Sequence, residues 1–352
     1  MRVRHLVPSS SWIRPPFAPV LNRWWGAMSR MQAKVMPEQA TPPVYAGIDV
    51  SKERLDVHLQ PLGVRLAVAN DAGGLRKLKR VLASHRVVRV VMEATSRYHR
   101  AAHRSLHAAG LAVAVVNPRR ARLFAEALGT LAKTDAVDAR VLAIMAERLD
   151  PAATLPARQA IEAVQELDSA RTAAIAERVA LGNRHAITGN AFLRGELARR
   201  LRTLDTHIAR LDTAIVKTIA ADPILANRHA ILCSIPGIGV ITACTLIANL
   251  DEIGTLSGKQ AAALAGLAPI ARDSGNTQGH RHIRGGRPPL RRALYMAALS
   301  AARCNPALKD LRERLRNSGK PSKLALIAVA RKLLVLANTL VSQNRQWQPT
   351  HP

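Results

Sequence analysis

The chain has 352 residues and 38.1 kDa, with 52 Lys and Arg against 24 Asp and Glu, a formal net charge of +28 and an isoelectric point near 11.5. Hydrophobic residues at 48% are enough to bury a sizeable core and exclude wholesale disorder, while aromatics at 3% argue against a single-strand binder built mainly on base stacking. Cys233, Cys244 and Cys304 show no CxxC spacing, which excludes a disulfide framework, makes a cysteine zinc site a poor reading and fits a reducing, cytoplasmic setting.

Residues 1–43 are basic and Pro-rich, with Trp12, Trp24 and Trp25 in no clear period and no apolar run of a secretory signal. They read either as a disordered basic arm or as an over-long gene start, since Met28, Met31 and Met36 precede the first strand pattern. Strand and helix signals then alternate over 44–150. Val44–Val50, Arg54–Gln60 and Val64–Val68 are strand-like, and Asn70-Asp71 caps a helix over Leu75–Ala83. Val87–Met92 is a β-branched run ending at Glu93, a helix over Ser96–Ala109 stops at Gly110, and Leu111–Val116 is closed by Asn117-Pro118. Thr134 caps a helix over Asp135–Leu149. Three strands followed by strand–helix–strand–helix predict an α/β domain on a mixed sheet.

Residues 151–225 have few breakers and place Ile161, Val164 and Leu167, then Leu197, Leu201, Leu204, Ile208, Leu211 and Ile215, at helical spacing. They predict a helical hairpin or coiled-coil arm with its turn near Gly182 or Gly189; a plain helical spacer reads equally well. Residues 226–345 predict an all-α domain. It opens on helix, turn and helix around Pro236-Gly237-Ile238-Gly239, followed by Val240–Leu250. Such a turn either presents backbone N–H groups to a phosphate or is an ordinary αα connection. An Ala-rich helix over Gln260–Leu267, a polar loop over Arg272–Arg287 and further helices to Val341 complete the chain. The late stretch from Leu324 is interrupted by Arg331 and Lys332 and reads as amphipathic, so no membrane segment is expected.

The charge is uneven. Residues 266–352 hold 16 basic and 3 acidic side chains, against 10 and 7 in 151–220, which points to nucleic acid as the partner. Among the 11 acids of residues 1–150, Asp49 and Glu93 end strands, and Asp135 and Asp138 share one face of a helix start. Carboxylates converging at a sheet edge in a basic protein repel one another unless cations neutralise them. Mg²⁺ or Mn²⁺ suits such oxygen donors, and two ions would serve in-line phosphoryl displacement. Lys52 and Lys133 flank these acids as phosphate contacts or as charge-offsetting neighbours.

Gly47-Ile48-Asp49-Val50-Ser51-Lys52, Glu93-Ala94-Thr95 and Ala132-Lys133-Thr134-Asp135-Ala136-Val137-Asp138-Ala139 resemble the motif blocks of the DEDD insertion-sequence transposases of the "one-ten" family, or bridge recombinases, and of the related pilin-gene DNA invertases. The resemblance covers about 44–341. It implies a ribonuclease-H or resolvase-like first domain in which Asp49, Glu93, Asp135 and Asp138 bind Mg²⁺. It also implies a serine nucleophile after the block Gly266-Leu267-Ala268-Pro269, here Ser274 before Gly275, that forms a covalent phosphoserine link to DNA. A structured non-coding RNA from the element that pairs with donor and target DNA is implied likewise. So are dimers and tetramers in which the serine of one subunit completes the site of another, in a nucleoid-associated cytoplasmic protein.

Read by itself, Ser274 stands among Arg272, Arg281, His282, Arg284 and Arg287, with Gly275, Gly279, Gly285 and Gly286 allowing close backbone approach. An ordinary Ser-Gly turn with solvated arginines fits the same residues. Ser257 and Ser300 read as a helix cap and a helix face, His280 and His282 as phosphate contacts or loop residues, and Asp273 as a weak candidate for orienting a proton acceptor. Two readings compete with the recombinase: a junction-resolving metal nuclease that uses only the carboxylates and water, and a non-enzymatic basic nucleic-acid-binding protein.

Overall fold

The computed structural model describes residues 42–130, 132, 134–271, 273–275, 279 and 281–349. They divide into two compact units, one ending at Pro156 and one beginning at Ala157. Lys133, Arg272 and His280 lie outside the described residues, as does the stretch 1–41.

The first unit is built on five strands: β1 (Val44–Val50), β2 (Arg54–Gln60), β3 (Val64–Ala69), β4 (Val87–Glu93) and β5 (Val113–Val116). Their order across the sheet is β3-β2-β1-β4-β5. β1 pairs antiparallel with β2 and parallel with β4; β2 pairs antiparallel with β3, and β4 parallel with β5. This mixed sheet is consistent with a ribonuclease-H-like fold. Its short links β1–β2–β3 are hairpins, and each parallel step needs a helix to return the chain.

Four helices cover the faces: α1 (Ala72–Ser84), α2 (His99–Ala108), α3 (Pro118–Ala127) and α4 (Asp135–Leu149). Leu75, Leu78 and Leu82 of α1 and Ala102 and Leu106 of α2 share a core with Ala46, Ile48, Leu55 and Val57. On a second cluster, Leu142, Met145 and Ala146 of α4 and Ala121 of α3 meet Val91, Ala114 and Val116. The helix α3 is absent from the sequence pattern. Asn117-Pro118 reads as a strand stop, but the Asn117 side chain accepts from the Arg119 N–H at 2.9 Å and Pro118 occupies the first turn, so the same dipeptide starts a helix.

The second unit is helical. α5 (Gln159–Ile187) and α6 (Ala191–Ala220) pair as a long hairpin whose connection holds Gly189, while Gly182 lies inside α5. Ion pairs Arg171–Asp212 and Arg178–Asp205 tie the two helices. α7 (Pro223–Cys233), α8 (Val240–Asn249), α9 (Gly258–Leu264), α10 (Pro288–Cys304), α11 (Pro306–Asn317) and α12 (Ser322–Ser342) enclose one core. By length and composition α12 is apolar enough to cross a membrane. Leu326, Val329, Leu333, Leu334, Ala337 and Leu340 of this helix are buried in that core. Asp168 of α5 is buried beneath α8, where it accepts from Thr245 Oγ1 at 3.2 Å and Asn249 Nδ2 at 2.8 Å.

The loop expected between α9 and α10 carries two short strands, β6 (Pro269–Ile270) and β7 (His282–Ile283), paired antiparallel. Ser257 begins α9 with a capping box to Gln260, as its sequence position predicts, and Ser300 lies within α10.

Candidate active site

The acid cluster follows from the sheet topology. β1, β4 and β5 run parallel, so their C-terminal ends share one edge, which holds Asp49 and Glu93. Gly47 and Asp49 lie two residues apart and face the same side of the sheet. A Cβ on Gly47 would lie 2.1 Å from the Ala139 carbonyl oxygen and 2.2 Å from the Ala143 nitrogen, so α4 rests directly on β1 there. The Thr134 side chain caps α4 by accepting from the Val137 N–H at 3.3 Å, which places Asp135 and Asp138 in its first turn. Acids at a helix N-terminus are favoured by its dipole.

The charges of the other three acids all reach the Asp49 carboxyl. The Asp49 carboxyl is pushed up to about 6, chiefly by burial, then by the charges of Asp138 and Asp135 and less by Glu93, against one opposing hydrogen bond from the backbone of Val50. Among the described residues, no three His, Cys, Asp or Glu side chains are gathered tightly enough to enclose an ion. The acids instead border an open edge. Hard oxygen donors so arranged suit a cation that keeps several waters and takes further ligands from a phosphate.

Two neighbours were not legible as site residues. Asp56 of β2 is the register partner of Asp49 across the antiparallel ladder, so it stands on the same face. Arg54, at the start of β2, donates from Nε to Asp56 at 2.8 Å and from Nη2 to Asp135 at 3.0 Å. Its backbone is fixed by the turn: the Arg54 N–H donates to Ser51 Oγ at 3.1 Å, and Ser51 Oγ donates to the Arg54 carbonyl at 2.8 Å. Asp56 above all, and Asp135 after it, hold the Arg54 guanidinium more firmly charged than usual. The signal for Asp56 lay in the hairpin itself, because a three-residue link fixes which residue faces Asp49. Lys52 is exposed in that link. A cleft of about 270 Å³ beside the acids is lined by Asp56, Arg65, Ala136 and Ala139 among others.

In the second unit Ser274 and Gly275 are exposed in the loop between β6 and β7. The loop's neck is tight. Gly266, Gly285 and Gly286 all have positive φ, and a Cβ on Gly286 would lie 2.1 Å from the Gly266 nitrogen. Arg291 Nη1 donates to the Gly285 carbonyl at 2.5 Å and the Arg287 N–H to the Leu264 carbonyl at 2.8 Å. Arg287, expected as a phosphate contact, has its guanidinium engaged within the unit. Nη1 and Nη2 donate to Glu252 at 2.8 and 2.7 Å, and Nη1 also donates to the Asn249 carbonyl at 2.7 Å. Arg281 and Arg284 are exposed, and Asp273 accepts from the Gly279 N–H at 3.2 Å. Pro236 and Gly237 form the turn between α7 and α8, with Gly239 exposed at its end. Gly237 has φ 104°, and a Cβ there would lie 2.4 Å from that of Ala301.

Both units have relatives. Residues 46–187 match a DEDD family of IS110 described as Transposase, and residues 229–313 match the Transposase IS116/IS110/IS902 family. The chain is 27% identical over 318 residues to the Pilin gene-inverting protein of Moraxella bovis, covering 86% of this chain and 97% of that protein. It is 34% identical over 160 residues to the Insertion element IS900 uncharacterized 42 kDa protein of Mycobacterium paratuberculosis, covering 44% of this chain and 38% of that protein. With the acids of the first unit and the glycine-necked loop of the second inside these matched regions, the chain belongs to the IS110 family of DEDD transposases and is a DNA recombinase enzyme.

Proposed function

We propose that this transposase cuts and exchanges DNA strands through a covalent serine intermediate, with Asp49, Glu93, Asp135 and Asp138 as ligands of Mg²⁺, two ions in the fullest form. The family implies a divalent cation and a DNA substrate. The observation that carries the metal reading is the raised Asp49 carboxyl at the end of β1 beside the first turn of α4, which burial first and three neighbouring carboxylates after it disfavour as an anion until a cation arrives. Bound there, divalent cations supply charge neutralisation at the phosphate and at both the entering and leaving oxygens. Asp135 and Asp138, fixed by the Thr134 cap, and Asp49, fixed by the Gly47 contact, hold their oxygens in place on two rigid elements.

Ser274 Oγ is the nucleophile in this reading. It attacks phosphorus, the Oγ–P bond forms as a P–O bond to the adjoining nucleotide breaks, the hydroxyl proton passes to a base or water, and the leaving oxygen gains a proton. Rejoining reverses the step on a new strand end, so no nucleotide energy is consumed. Exposed Arg281 and Arg284, with Arg272, offer bidentate donors to the phosphate. Lys52 and Lys133 serve the same strand beside the acids. Pro236, Gly237 and Gly239 form a helix-hairpin-helix-like turn that holds a phosphodiester through backbone N–H groups. The α5–α6 hairpin acts as a coiled-coil assembly arm of dimers and tetramers, in which the serine of one subunit completes the acid site of another. An element-encoded non-coding RNA chooses donor and target, and the protein acts in the cytoplasm on nucleoid DNA. The four regions 1–43, 44–150, 151–225 and 226–345 are the extension, the catalytic domain, the arm and the serine domain of this scheme.

The test is a covalent adduct. Purified chain, flanking RNA, Mg²⁺ and labelled element-end DNA are incubated and denatured, with Ser274→Ala and Asp49→Ala alongside. DNA attached to wild-type protein and lost in both variants is the expected result. Cutting without an adduct, unaffected by Ser274→Ala, would leave the junction-resolving type of metal nuclease.

A further inference from the structure

Arg54 ends at the exposed side of the acid cluster with both sides of its guanidinium engaged. Nε is bonded to Asp56 and Nη2 to Asp135, at 2.8 and 3.0 Å. The two acids differ in kind. Asp56 faces Asp49 across the β-ladder and its side chain is 16% exposed, whereas the Asp135 side chain is 58% exposed in the first turn of α4. Asp56 is thus the inner, fixed partner and Asp135 the outer one.

We propose that Arg54 is an exchangeable counter-ion of the acid cluster: tethered by Asp56, it neutralises Asp135 until a divalent cation takes its place, and the released Nη2 donor then turns to the bound phosphate. The inference rests on the metal reading above. A carboxylate that serves a guanidinium N–H holds an incoming Mg²⁺ less well, because the guanidinium draws on its negative charge and the two cations repel. Binding the cation therefore favours loosening of the Asp135 contact, whereas the Asp56 contact, made by Nε nearer the backbone on the same side chain, has no reason to loosen. The chain keeps a positive group beside its acids at all times: first on Asp135, afterwards on substrate. Asp56 acts through Arg54 and is a positioning residue.

The experiment is Mn²⁺ binding to the full chain, followed by the loss of the free-ion electron paramagnetic resonance signal, without DNA. Wild type is compared with Arg54→Gln, Arg65→Gln and Asp49→Ala. Arg65 lines the same cleft, and among the described residues it has no ion pair with an acid, so it controls for loss of one charge. With an exposed pair to break, Arg54→Gln is expected to bind Mn²⁺ about two- to fivefold more tightly than wild type, and clearly more tightly than Arg65→Gln. Affinity unchanged or weakened in Arg54→Gln, or a gain matched by Arg65→Gln, would overturn the proposal while leaving the metal site intact. Binding unaffected by Asp49→Ala would remove the metal reading itself, and the exchange with it. Should Arg54→Gln fail to fold by circular dichroism, Arg54→Lys replaces it. A single ammonium keeps the charge but cannot bond both acids in the same fork, so it too should tighten Mn²⁺ binding relative to wild type.

Discussion

Gly47 and Ala139 are in van der Waals conflict with any side chain larger than hydrogen: a Cβ on Gly47 would lie 2.1 Å from the Ala139 carbonyl oxygen. This close approach seats the helix that carries Asp135 and Asp138 on the strand that carries Asp49. Gly47→Ala must push the two apart. It is expected to cost about 1–3 kcal/mol of stability, the usual range for overpacking, and to lower activity out of proportion to that loss. Urea denaturation compared with strand-transfer rate at matched folded fraction checks this.

The pH dependence of the metal-free protein follows from Asp49. Its folded carboxyl keeps a proton up to about pH 6, whereas the ordinary value for an aspartyl carboxyl is 3.8. Between those values the folded state binds more protons than the unfolded one, so stability falls as pH rises through the window, by about 1–2 kcal/mol after solvent screening of a half-buried group, and this group adds nothing further above it. Wild type minus Asp49→Asn, measured in chelator from pH 4 to 7.5, should show that fall. Mg²⁺ should reverse it at pH 7.5 and do little at pH 4.

Arg287 clamps the neck of the serine loop to Glu252. Arg287→Ala leaves a partly exposed carboxylate and a backbone carbonyl without their donor and is expected to cost about 1–2 kcal/mol. DNA affinity should change little, because its guanidinium is engaged with the protein's own groups. Denaturation midpoints and filter binding on the same preparations separate the two effects.

Arg281 and Arg284 are exposed at the same loop and should behave in the opposite way. Arg284→Ala is expected to leave stability within about 0.5 kcal/mol of wild type. It should flatten the slope of log affinity against log salt by about one. Equal slopes for wild type and variant would place Arg284 away from phosphate.

Much of this was legible in one dimension. The three-strand opening, the helix stop at Gly110 and the Thr134 cap each rest on local spacing, and Asp49, Glu93, Asp135 and Asp138 stood at element ends. Asp56 and Arg54 did not, because their meaning comes from register: Asp56 becomes a neighbour of Asp49 only when the hairpin closes. Arg287 is a similar case. Its partner Glu252 is 35 positions away, and an arginine in a glycine-rich loop looks the same from sequence whether it faces phosphate or its own fold. At Asn117-Pro118 two local rules competed, strand stop and helix start, and the cap decided.

The crossing of Gly266 with Gly285 and Gly286 has a consequence for how this protein can change over time. It works as a collar: a Cβ on Gly266 would strike the Gly285 carbonyl and one on Gly286 the Gly266 nitrogen, while Gly285 itself has open space and is held to glycine only by its left-handed φ. Ser274 is exposed beyond this collar, so a change there costs the helices little, and what holds that position is chemistry rather than packing. Gly266 and Gly286 have no such freedom.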